Sequence, residues 1–92
     1  MRIKWDEKKR IWVLQKRDID FGQLEDLLCF PYIEDQKYDD PEQYRIIGFI
    51  PPHRLATFIV EYREDPIGAY IWVVTAWNAT NEEVNAYENQ TQ

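Results

Sequence analysis

The side chains able to do chemistry are few, and their spacing matches no catalytic pattern. His53 is the single histidine, so the chain holds no two-histidine metal site. Cys29 is the single cysteine, which excludes an internal disulfide and a thiolate zinc cluster. A histidine can serve as a general acid or base. His53, however, stands in Pro51-Pro52-His53-Arg54, a turn signature in which a surface histidine without a role is the simpler expectation. Glu34, Asp35, Asp39 and Asp40 bring calcium to mind only by number. The glycine and terminal glutamate of an EF-hand loop are missing, so no metal is expected. No Gly-rich phosphate loop, nucleophile elbow or dinucleotide fingerprint is present, and no cofactor is implied. Spacing alone therefore yields no enzyme.

Charge is distributed more tellingly than its total of −6 indicates. Residues 1–17 hold seven basic and two acidic side chains, while residues 18–92 hold four basic and fifteen acidic ones. The two parts thus carry +5 and −11. A nucleic-acid binder is usually basic overall, so the balance counts against high RNA affinity, although the basic start can form a local patch. The plainer reading is a solvated charged face.

These residues must be positioned by one small domain. Ninety-two residues, 45% hydrophobic and 15% aromatic, make a folded globule with a modest core. The domain is expected to span 1–92, with 89–92 a polar tail. The N-terminal Arg2-Ile3-Lys4-Trp5-Asp6 is no signal peptide and no apolar run is long enough to cross a membrane. A cytoplasmic protein without membrane contact is the expectation.

The most β-prone stretch is Ala69 to Ala76, apolar at nearly every position, which predicts a central strand covered on both faces. Simple alternation puts Trp72, Val74 and Ala76 on one face and Trp77 on the other. Thr80-Asn81-Glu82-Glu83 predicts a capping box opening a helix to about Glu88, with Val84 and Tyr87 on one face. Upstream, Ile3 to Trp5 predicts a short strand. Asp6 caps a helix to about Arg17, with Ile11 and Leu14 inward and Trp12 or Val13 at the margin. Asp20 caps a second helix, where Phe21, Leu24, Leu27 and Leu28 recur at helical spacing and Cys29 follows as a small core residue. Tyr32 to Glu42 predicts a short strand or extended arm and then a loop. Gln43 to Ile50, Leu55 to Arg63 and Ala69 to Ala76 form an antiparallel meander. The class is α+β, in the order β-α-α-β-β-β-α, with an antiparallel sheet. Core packing is the leading expectation for the aromatic residues, Trp5 and Trp12 included.

Trp5-Asp6-x-x-Lys9, Leu14-x-Lys16 and Ile19-x-Phe21 resemble the opening of the BrnT toxins, whose pattern reads roughly W-D-x-x-K-x-x-x-N-x-x-K-H-G-[VI]-x-F. Ile47-Gly48 and Ala79-Thr80-x-x-Glu83-x-x-x-Tyr87 resemble later parts of the same pattern, in order and at matching spacing. The resemblance implies a small RelE-like domain. It further implies the toxin of a type II toxin–antitoxin pair, cleaving RNA without a metal and held in an oligomer by a BrnA-like antitoxin. Cleavage of that kind requires cations at the scissile phosphate and a group that moves the 2′-hydroxyl proton.

The departures fall at the basic positions. The family's Asn falls on Val13, its His-Gly on Arg17-Asp18, and an arginine on Gln43. Its last strand commonly reads R-I-I-S-A-R-[RK]-A-T, where this chain has tryptophan, Trp72 and Trp77, at both arginine positions and Asn78 at a third. Losing one preorganised donor to a transition-state anion costs roughly 3–4 kcal/mol. Two expectations follow. In one, Lys9, Arg17 and Arg45 supply the catalytic cations, while Lys16, Trp72 and Trp77 bind RNA. In the other, the scaffold is catalytically silent and works by protein contact, with the tryptophans in the core or at an interface. A more distant alternative is an acidic domain that mimics nucleic acid.

Overall fold

A computed structural model describes residues 1–91 as a five-stranded mixed sheet with helices on both faces. The elements are β1 (Arg2–Trp5), α1 (Glu7–Arg17), a 3-10 turn (Phe21–Gln23) running into α2 (Leu24–Leu27), β2 (Tyr32–Asp39), β3 (Glu42–Ile50), β4 (Arg54–Asp65), β5 (Gly68–Asn78) and α3 (Asn81–Thr91). The spatial order is β1-β5-β4-β3-β2. The meander β3-β4-β5 is antiparallel as expected.

Local chemistry explains most boundaries. The Asp6 carboxylate accepts from Lys8 N at 3.3 Å, and Asp18, left-handed at φ 57°, ends α1 with its N–H on Leu14 O at 3.0 Å. Asp20 and Gln23 form a reciprocal capping box, as do Thr80 and Glu83 at the start of α3. The core lies between the sheet and the α1/α2 layer. Val13, Ile19, Phe21, Leu24 and Leu27 meet Ile46, Phe58, Val60 and Val73 there, all buried. Each such side chain contributes roughly 1.5–3 kcal/mol through burial. Gly48 permits the close approach, because a Cβ there would lie 2.8 Å from Leu27 Cγ.

Several expectations are corrected. The order is β-α-α-β-β-β-β-α: Tyr32–Asp39 is a full edge strand paired with β3, its polar sequence suiting an edge that must discourage further pairing. The sheet is mixed and not antiparallel, since β1 runs parallel to β5 (Ile3 opposite Ile71, Trp5 opposite Val73). Residues 89–91 belong to α3 and are not a tail, and Gln92 lies outside the described residues. On α1, Val13 is the fully buried residue while Ile11 and Trp12 face solvent. Cys29 lies beyond α2 and is exposed. Central strand β5 is buried on one face only, through Ile71, Val73 and Ala76, because α3 reaches just one corner of the opposite face. Among the described residues, no helix is long and apolar enough to cross a membrane.

Candidate functional site

The face of the sheet turned away from α1 is the place where the notable positions gather. A β-bulge makes this so. Ile59 pairs with Thr75 but Val60 pairs with Val73, leaving Val74 as an extra residue in β5. The insertion reverses the alternation beyond it. Ala76 therefore joins Val73 in the core, while Trp72, Thr75 and Trp77 all point to the open face. The expected sharing of a face by Trp72, Val74 and Ala76, with Trp77 opposite, is overturned by this one residue.

Cross-strand pairing arranges the open face in rows. One row runs Lys4, Trp72, Glu61 and on to Gln43, where Gln43 Nε2 donates to Glu61 Oε2 at 2.7 Å. The next runs Thr75, Ile59, Arg45 and Asp35, and the third Trp77, Thr57, Ile47 and Ile33. Gln43, Trp72 and Trp77 thus share this surface. Arg17 comes to its border from α1. Because β1 covers β5 only as far as Val73, Arg17 Nη1 reaches Ala76 O at 2.8 Å and Thr75 Oγ1 at 3.4 Å. Val13, at the family's Asn position, is instead buried under α1 and offers no polar group.

Glu83 organises the corner under α3. Its Oε1 accepts from Thr57 Oγ1 at 2.8 Å, Thr80 N at 2.9 Å and Trp77 Nε1 at 3.0 Å, while Oε2 lies 3.6 Å from Arg45 Nη1. Burial raises its pKa, but these donors and the Arg45 charge together hold it below the usual glutamate value. Arg45 Nε also donates to Asp35 Oδ1 at 2.9 Å, and that bond raises its own pKa further against the effect of burial. Arg63 stacks over Trp72 with Cζ 4.4 Å from the ring centroid and pairs with Glu61. Arg2 and Lys4 share Asp65 at the far edge and lie over Tyr70. Each of these open-face cations is therefore paired with a carboxylate, Arg2 and Lys4 with the same one.

The expected site residues divide between two surfaces. Arg45, Trp72 and Trp77 are together on the open face. Lys9 and Lys16 are on the solvent side of α1, which packs over the opposite face, and Arg17 lies between the two groups. Lys9 is engaged by Trp12, with Nζ 4.9 Å from the ring centroid. The acidic side chains of β2 do not cluster: Asp35 turns to Arg45, whereas Glu34 turns to the other face and accepts from the Tyr62 hydroxyl. His53 stacks flat on Phe49 at 4.6 Å, and Phe49 meets Tyr87 edge-on, beside a groove of about 450 Å³ lined largely by aromatic and proline side chains.

Two participants were not foreseen as site residues. Glu83 was legible as a helix cap but not as the partner of Arg45, since 38 residues separate them in sequence. Trp12 was assigned to the core, yet it is 44% exposed. The sequence matches no protein-family model and no curated protein.

Proposed function

We propose that this chain is a BrnT-like scaffold that works by binding a protein partner of the antitoxin type and does not cleave RNA. One observation carries the reading: the three cations expected at a scissile phosphate do not converge. Lys9 stands on α1 against Trp12, Arg17 is bound to a main-chain carbonyl at the edge of β5, and Arg45 sits between Asp35 and Glu83. A phosphate at Arg45 would have to displace one carboxylate and lie near another, which opposes the anion stabilisation that metal-free cleavage needs. The motifs that resemble the family, by contrast, do structural work: the Thr80/Glu83 cap and the Gly48 contact with Leu27 hold the scaffold together. A cytoplasmic oligomer with a BrnA-like antitoxin accompanies this reading.

The test incubates purified protein with a mixed RNA in EDTA, alongside the Trp72→Arg/Trp77→Arg variant. No cleavage by the natural protein is expected, together with co-purification of the product of an adjacent gene for a small DNA-binding protein. Metal-independent cleavage by the natural protein, abolished in Arg45→Ala, would overturn the proposal in favour of a ribonuclease.

A further inference from the structure

The surface that receives such a partner can be sought in the way the chain pairs its charges. Of its eleven lysines and arginines, six form ion pairs with carboxylates: Arg2, Lys4, Arg10, Arg45, Arg54 and Arg63. Among the described residues the other five form none. Four of those, Lys8, Lys9, Lys16 and Arg17, belong to the eleven residues of α1. Carboxylates are not scarce, since fifteen acidic residues follow position 17. They are concentrated elsewhere, a third of them on β2 and the first residues after it. Helix chemistry explains only part of this placement. Lys16 and Arg17 suit the negative C-terminal end of α1, but Lys8 and Lys9 stand in its first turn, where the helix dipole disfavours cations.

Beside Lys8, Lys9 and Lys16 on the helix surface stands Trp12, 44% exposed. Lys9 Nζ and Arg17 Cζ lie 4.9 and 5.2 Å from the Trp12 ring centroid. An aromatic side chain ringed by uncompensated cations has the composition of an interface anchor. We infer that the Trp12 flank of α1 docks an acidic segment of a partner protein. Its carboxylates meet Lys8, Lys9 and Lys16, with Arg17, held by Ala76 O, at the border, and an apolar side chain seats against Trp12. The inference rests on the protein-binding reading and names the chemistry of the partner.

Charge complementarity favours an acidic peptide over the other occupants. A nucleic acid would extend its charge beyond the helix, over a chain that carries −11 after residue 17. The ring on which a base would stack is already faced by Lys9 and Arg17. A second copy offering its acidic β2 is the remaining occupant, and sedimentation tests it.

The experiment titrates the isotopically labelled chain with a short peptide of glutamates interspersed with leucines, its glutamine counterpart, and oligouridine. The acidic peptide is expected to shift the α1 amides and the Trp12 indole. Its affinity should fall as salt rises, and by roughly tenfold or more in Lys9→Glu/Lys16→Glu, whose fold is checked by circular dichroism. The glutamine peptide should bind far more weakly. Tighter binding of oligouridine at α1, shifts confined to other elements, or unchanged affinity in the double variant would each overturn the assignment. Self-association by sedimentation that the double variant abolishes would overturn it too, giving the face to a second copy. RNA cleavage by the natural protein would defeat the protein-binding reading, whereas uncut RNA with no peptide shift at α1 would defeat the docking face alone.

Discussion

The open sheet face holds four cations, all ion-paired, whereas of the five on helix α1 only Arg10 is paired, with Glu7 and Asp20. On the sheet, Arg2, Lys4, Arg45 and Arg63 are matched by Asp65, Asp35, Glu83 and Glu61, and Arg45 is further locked by the α3 cap. On α1, Lys8, Lys9, Lys16 and Arg17 have no carboxylate, and two of them turn to an exposed tryptophan. A paired cation on a half-buried face has its electrostatic energy realised within the fold. An unpaired one at the surface is well hydrated and remains available to another molecule. The sheet face therefore uses charge for stability, and α1 keeps it for recognition.

The contrast is broken most severely through Glu83. Glu83→Ala leaves Thr57, Trp77 and the Thr80 N–H without their acceptor and takes one of its two carboxylates from Arg45, and a loss of about 3 kcal/mol is expected in chemical denaturation. A loss no larger than that of a surface substitution would mean that the network does not hold α3. Next comes Gly48→Ala on the core side of the sheet. The added methyl meets Leu27 at 2.8 Å, and overpacking of this kind costs roughly 1–3 kcal/mol. An unchanged melting temperature would show that α2 yields freely.

A smaller effect is expected from pH. Glu83 is held below its ordinary value of 4.5, so the unfolded chain takes up its proton first as the solution is acidified. Its contribution is complete above pH 4.5 and is lost as pH falls through the lower, folded value. Asp65, depressed chiefly by its bond from Arg2, acts in the same acidic direction. Subtracting the pH profile of Glu83→Gln from that of the natural protein isolates the Glu83 part. Parallel profiles would refute it. The smallest effect is expected on α1, where Lys9→Ala with Lys16→Ala should alter stability by no more than about 0.5 kcal/mol, because neither side chain has an ion-pair partner to lose. A large loss would mean that these lysines serve the fold, and the distinction between the two regions would disappear.

Local chemistry made much of the scaffold legible. Asp6, Asp20 and Thr80 cap helices because a short polar side chain satisfies the orphan N–H groups of a first turn. Ala69 to Ala76 reads as a strand because β-branched and aromatic residues crowd it. β2 is legible only as a short strand or arm, because an edge strand needs little apolar sequence when its hydrogen bonds come from β3. Val13 and Ile11 exchanged places because both fit a helical stripe, and only the position of β5 decides which side of α1 faces the core.

The sequence by itself determined the α+β class, the caps, the meander and the split of charge at residue 17, since each depends on neighbours close in the chain. Tertiary structure alone decided the rest. The extra residue at Val74 turned Trp77 to the side of Trp72, and the pairing of β3 with β2 gave Arg45 its Asp35. The return of α3 across the sheet then closed Glu83 over both Arg45 and Trp77. Register and long-range pairing are set by the packing of whole elements, and no local spacing encodes them.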